Sequence, residues 1–167
     1  MEAKTPAASR SILVRWMGLG DANSAGFVHG GVVMRLCDEA AGIAAIRHSG
    51  CRVVTAGMDR MTFLLPIHIG ELLTCSAMVN AAWRTSMEVG VRVEAESPRE
   101  GSKRHTSTAY LTMVALDEQG QPTPVPPLEP QTDVERRRQR EAELRRRNRL
   151  VERDEILRQR GATAASR

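Results

Sequence analysis

The sequence predicts an α+β domain in which one long central helix is wrapped by a curved antiparallel sheet of about five strands. Three observations predict it. From Val32 to Ile46 the residues are nearly all Val, Leu, Ile, Ala, Met and Cys, interrupted by Arg35 and the acid pair Asp38 and Glu39. A helix apolar around most of its circumference is buried on most sides. Along Ser86 to Glu96, apolar Met87, Val89, Val91, Val93 and Ala95 alternate with mostly polar residues, the period of a strand with one face buried and one wet. Short connections join the later strands, which favours antiparallel pairing, and a sheet with a single helix gives a two-layer domain.

The elements follow in order. Ser11 to Met17 is short, apolar and β-prone, a first strand. Gly18 to Gly26 holds turn formers and reads as a loop. The helix starts near Gly30-Gly31 and ends near His48–Gly50, where Gly50 can cap it. Arg52 to Phe63 reads as a second strand, closed by Pro66 and Gly70 as turn residues. Glu71 to Trp83 is a third strand and Ser86 to Glu96 the fourth. Lys103 to Leu116, rich in Thr, is the fifth. Residues 120–131 carry most of the prolines and read as an extended linker. Residues 132–167 are dense in Arg and Glu, with apolar residues too sparse for a heptad seam; they read as a solvated, partly frayed helix or a disordered tail.

Composition narrows the function classes. The net charge of +4 over 167 residues divides unevenly. Residues 1–130 hold 12 basic and 13 acidic groups, and residues 131–167 hold 12 and 7. The basic character belongs to the tail, so nucleic-acid binding by the domain loses its main support. No apolar run is long enough to span a membrane, and Met1–Arg10 has no apolar core of a secretory signal. Three cysteines with no CxxC spacing suit reduced thiols in a cytoplasm rather than disulfides or zinc. The histidines lack metal-ligand spacing, so no metal is expected.

The candidate chemistry lies where the loop enters the helix. Unpaired N–H groups at a helix start attract negative charge, and Gly30 and Gly31 have no side chains to block a ligand. They are candidates to hold an oxyanion, or to permit close packing. Asp38 sits on the apolar helix, where a carboxylate is costly unless paired or in use. It is a candidate base or nucleophile, or the partner of Arg35 in a surface ion pair that Glu39 could equally claim. Eight residues from Gly30 to Asp38 span roughly 12 Å of helix, so one carbonyl cannot touch both on one helix. If both act on one substrate, they come from two facing subunits. Asn23 reads as a turn residue or a water-holding group, and His29 as a base or a loop-ordering residue.

The segment DANSAGFVHGGVVMRLCDEAAG resembles the helix signature of hotdog-fold acyl-CoA thioesterases, in the brain-type acyl-CoA hydrolase branch. VVTAGMDRMTFLLPIHIGELL, WRTSMEVGVRVEAE and HTSTAYLTMVALD are similar to the same family, and the likeness covers about residues 8–119. The resemblance implies a hotdog domain that hydrolyses acyl-CoA to free acid and CoA, CoA being part of substrate and product, with no separate cofactor. It implies that Asn23 and Asp38 meet from facing subunits beside the Gly30 and Gly31 amides. It puts Arg84, Thr85 and Ser86 near the CoA moiety and makes Arg60, Lys103 and Arg104 candidates for its phosphates. It implies a dimer paired edge to edge, assembling as a trimer of dimers. An enoyl-thioester hydratase or dehydratase using His29, and a non-catalytic acyl-CoA sensor, stay open as alternatives.

Overall fold

The computed structural model describes residues 1–59 and 61–165. Its elements are β1 (Ser11–Trp16), α1 (Gly30–Ser49), β2 (Arg52–Met58), β3 (Thr62–Phe63), β4 (Leu72–Ala82), β5 (Ser86–Glu96), β6 (Lys103–Leu116) and α2 (Asp133–Ala165). All pairings in the sheet are antiparallel, in the order β1-β4-β5-β6-β2, with β3 also on β6.

The period-two residues of β5 do what their spacing implies. Met87, Val89, Val91, Val93 and Ala95 are fully buried. The opposing surface of α1 is built largely from small residues, with Cys37, Ala40, Ala41, Ala44 and Ala45 all buried. Small side chains bring the helix axis close to the strands, which lets a core with few aromatic rings pack closely. Each fully buried Val, Leu or Met contributes about 1.5–3 kcal/mol relative to exposure.

Both ends of α1 are specified. The His29 ring Nδ1 accepts from the Gly31 N–H at 2.9 Å and serves as N-cap. At the other end Gly50 adopts φ 71°, which glycine takes without steric cost, and its N–H reaches Ile46 O at 2.8 Å. The Lys4 ammonium donates to the carbonyls of Arg47 (3.1 Å) and His48 (2.7 Å), placing a cation at the negative end of the helix dipole.

The single strand expected over Arg52 to Phe63 is two strands. β2 runs along the C-terminal part of β6, with an irregularity between Thr55 and Gly57. β3 resumes only at Thr62, opposite Thr108. From Met58 to Thr62 the chain advances four residues while β6 moves back three, from Leu111 to Thr108. The Asp59 N–H still reaches Tyr110 O at 2.8 Å, and across the segment the two strands differ by one residue in register. Arg60 lies outside the described residues.

The proline-rich stretch crosses the base of the domain as an extended strap. Lys4 pairs in parallel with Leu128, the Val125 N–H reaches Arg84 O at 3.1 Å, and Val125 is buried. The His48 Nε2–H donates to Pro126 O at 2.9 Å. Burial holds the basicity of His48 below the ordinary histidine range.

The tail beyond it forms α2, a 33-residue helix. Its first half lies on the sheet face opposite α1 and docks through polar groups. Arg145 makes two bonds to Glu88, at 2.6 and 3.0 Å, and its guanidinium lies 3.6 Å from the centre of the Tyr110 ring. Glu143 accepts from the Trp83 indole at 2.8 Å, and Arg149 binds Asp59 at 2.6 Å. Ala142 is fully buried between them. A bulge in β4 between Val79 and Ala81 turns Asn80 towards Glu88, 3.3 Å away. Gly90 makes room for it, since a Cβ there would lie 2.5 Å from Asn80 Nδ2.

A second clamp fixes the Pro66–Gly70 turn. Glu71, nearly buried, accepts two bonds from Arg104 at 2.5 and 2.7 Å and one from the His68 N–H at 2.7 Å. The hydrogen bonds from Arg104 hold the Glu71 carboxyl below the usual carboxylate range. Its contribution to stability is therefore present above the unfolded carboxylate pKa and lost as pH falls through the lower folded value. Arg104→Ala is expected to cost about 3 kcal/mol near neutral pH. The wild-type and variant unfolding curves should converge in acid, which denaturant titrations at several pH values would check.

Candidate active site

The loop before α1 is organised by two side chains. Asp21 accepts from Arg15 (2.7 Å) and from the Gly18 N–H (2.9 Å), and its carbonyl holds the His29 N–H at 2.8 Å. Asn23 uses its Oδ1 to accept from the N–H groups of Ala25 (2.9 Å) and Phe27 (3.2 Å). This is a side-chain-stabilised turn. Among the described residues the Asn23 Nδ2 has no partner.

The two glycines differ. The Gly31 N–H is taken by the His29 ring. The Gly30 N–H has no acceptor among the described residues and stays available for a ligand. The Phe63 ring lies against Gly30, and a Cβ added there would sit 3.3 Å from the ring edge.

Two turns further along, Asp38 is half-buried and accepts from the Thr55 hydroxyl of β2 at 2.5 Å. Arg35 pairs with Glu39 at 3.8 Å. Asp38 has no ion pair among the described residues, so a surface ion pair does not account for it. Met34, one turn back on the same face of α1, is 41% exposed. Thr55 was not among the residues singled out from sequence. A Thr in a Val-rich strand looks like ordinary β propensity, and its role appears only when β2 folds back beside α1.

The residues expected near CoA divide. Ser86 pairs with Val114 and Val114 with Val54. The Arg84–Ser86 turn therefore shares a row with the residue before Thr55, roughly 10 Å away across two strand spacings. Arg84 is exposed and has no ion pair among the described residues. Thr85 and Ser86 are half-buried. Arg104 is occupied by Glu71, and Lys103 lies 3.4 Å from Glu96 at the far end of β5. Among the described residues no cluster of His, Cys, Asp or Glu could hold a metal ion.

The profile of the thioesterase superfamily matches residues 25–102. Protein VdlD of Helicobacter pylori is 42% identical over 117 residues, 70% of this chain and 67% of that protein. The chain belongs to the thioesterase superfamily. Its fold is the hotdog fold expected from the resemblance. The cytosolic acyl coenzyme A thioester hydrolase of Rattus norvegicus is 39% identical over 139 residues, 82% of this thioesterase-superfamily chain. The chain spans only 36% of the length of that relative.

Among solved structures, the acyl-CoA hydrolase of Staphylococcus aureus in complex with butyryl coenzyme A superposes with TM-score 0.88. It is 34% identical, over 97% of this chain and 99% of that one. A hexameric acyl-CoA thioesterase superposes with TM-score 0.87 at 38% identity, over 91% and 97%. Three solved variants of the S. aureus hydrolase replace an asparagine, an aspartate and a threonine by alanine, at successive spacings of 15 and 17 residues. Asn23, Asp38 and Thr55 stand here at the same spacings.

Proposed function

We propose that this member of the superfamily hydrolyses fatty acyl-CoA to free fatty acid and CoA, at a site completed by a second copy of the chain. The carrying observation is Asp38: a half-buried carboxylate on an apolar helix, held by Thr55 and without an ion pair among the described residues. It belongs to an Asn–Asp–Thr set spaced as in the altered residues of the S. aureus hydrolase.

Asp38 acts as general base on water. Water oxygen bonds to the thioester carbonyl carbon while Asp38 takes the proton. The carbonyl oxygen becomes an oxyanion, facing the Gly30 N–H at the start of α1 in the partner, where the helix dipole favours negative charge. The tetrahedral intermediate collapses, the C–S bond breaks, and CoA sulfur leaves with the proton returned by Asp38. Asn23, its Nδ2 without a partner among the described residues, orients the water or intermediate. Arg84 and the turn to Ser86 receive the CoA part. The reaction uses no metal and no separate cofactor. The His29 Nδ1 is engaged as a helix cap, which weighs against His29 as the base of a hydratase.

Dimerisation through the β2–β3 edge brings Asp38 of one copy to the Gly30 and Asn23 loop of the other, and three such dimers make the hexamer. A cytoplasmic location suits the free thiols of Cys37, Cys51 and Cys75. The test is release of CoA thiol from a panel of short- to long-chain acyl-CoAs by purified protein. Enoyl-CoA hydration without thiol release would overturn the hydrolase reading. Thr55→Ala leaves Asp38 unanchored and is expected to lower kcat by about 10- to 100-fold, as misplacement of a reacting group does. KM and the melting temperature should stay close to wild type in steady-state and thermal assays.

A further inference from the structure

On the sheet face opposite α1, a cavity of about 610 Å³ is walled by the first turns of α2, by β4, β5 and β6, and by the segment before β1. Its volume falls within the range of small-molecule sites. Gly90 stands in its floor between Met78 and Tyr110 of the neighbouring strands and adds no side chain. Four guanidiniums reach the cavity from three parts of the chain: Arg10 before β1, Arg92 on β5, and Arg137 and Arg138 on α2.

The carboxylates beside them are engaged. Arg92 holds Glu94 at 3.2 Å and Arg137 holds Glu141 at 3.5 Å. Glu135 accepts from the N–H groups of Gln131 (2.8 Å) and Thr132 (2.9 Å), and the Thr132 hydroxyl accepts in return from the Glu135 N–H, a capping box. Arg10 and Arg138 remain. Arg138 faces Glu135 at longer range, but neither guanidinium makes a hydrogen bond or an ion pair among the described residues.

We propose that this cavity binds a phosphorylated small molecule, with its phosphate groups between Arg10 and Arg138 and its uncharged part over Gly90 and Met78. Two observations choose that chemistry. Unpaired guanidiniums on separate walls call for an anion with more than one charged group, and the planar fork of arginine matches phosphate oxygens. The volume also leaves room beyond the phosphates, over a floor opened by Gly90 and flanked by Met78 and the Tyr110 ring. A nucleotide has both parts, and so does the nucleotide end of CoA. Arg10 and Arg138 belong to different ends of the chain, so the ligand would tie α2 to the domain. The cavity lies across the sheet from Asp38 and does not depend on the hydrolase reading.

Calorimetric titration of the full-length protein with ADP and with adenosine bisphosphate, the phosphorylated end of CoA, tests it. Saturable binding of one molecule per chain is expected. Tighter binding of ADP assigns the site to free nucleotides, and tighter binding of the bisphosphate assigns it to CoA. Arg10→Ala and Arg138→Ala are each expected to weaken the tighter probe about tenfold or more, and together to abolish its binding. Neither side chain holds another residue, so the melting temperature without ligand and kcat for thiol release should match wild type. Absence of saturable heat with both probes, or undiminished binding by the double variant, would overturn the site. Thiol release by the wild-type protein is measured separately, so either reading can fail without the other.

Discussion

Asp38→Asn is expected to lower kcat for acyl-CoA hydrolysis by about 10²- to 10⁴-fold, the range for loss of a positioned general base. The substitution is close to isosteric. The amide oxygen can still accept from the Thr55 hydroxyl, now held at 2.5 Å by the carboxylate, so the helix and β2 keep their contact. The basicity that takes a proton from water is lost. Asp38 carries no ion pair among the described residues, so no cation is left unpaired by the change. The melting temperature should therefore move little, and thiol release against substrate concentration should show the loss in kcat rather than KM. Thr55→Ala removes the anchor and keeps the carboxylate, and so has the smaller effect of the two.

Arg145→Ala is expected to be the most destabilising single substitution in the molecule outside the core. The Glu88 side chain is fully buried, and Arg145 covers it with two hydrogen bonds while lying over Tyr110. Removing the guanidinium leaves a carboxylate without water or countercharge, with only the Asn80 amide at 3.3 Å as donor. Breaking such a pair costs about 3–5 kcal/mol. For a chain of this size that is a fall of about 6–20 °C in melting temperature. Glu88→Gln in the same chain removes the stranded charge and should recover a large part of the loss. Denaturant unfolding of the single and double variants measures both. Asp38 and Thr55 lie on the α1 side of the domain, so the folded variant should retain its activity at low temperature.

The parts of the fold legible in sequence are those with a strong period. The β5 alternation, the apolar run of α1 and the Gly50 stop each arise from local spacing, and the structure places them where that spacing implies. The break between Met58 and Thr62 was not legible, because it comes from register against β6, which no local pattern encodes. Docking of α2 was missed for a different reason. Its contacts with the sheet are Arg145 to Glu88, Glu143 to Trp83 and Arg149 to Asp59, and a search for an apolar seam passes over such a face.

The candidate site shows the same division. Asp38 stood out because a carboxylate on an apolar helix needs a reason. Thr55 did not, since a hydroxyl on a strand is unremarkable until its partner is known. Arg104 and Lys103 were reasonable phosphate partners by charge alone, yet Glu71 and Glu96 engage them. A linear sequence records which cations exist and not which are already neutralised.

The central claim is that Asp38 works on substrate held by the helix start and Asn23 of a second copy. Subunit complementation tests it most directly. Asp38→Asn and Asn23→Ala proteins, each nearly inactive alone, are dissociated, mixed in equal amounts and allowed to reassociate. With composite sites, half of the dimers are mixed and each carries one intact site, so thiol release should recover to about a quarter of wild type. If both residues act within a single protomer, the mixture will stay as inactive as its components, and the account of the site will be wrong.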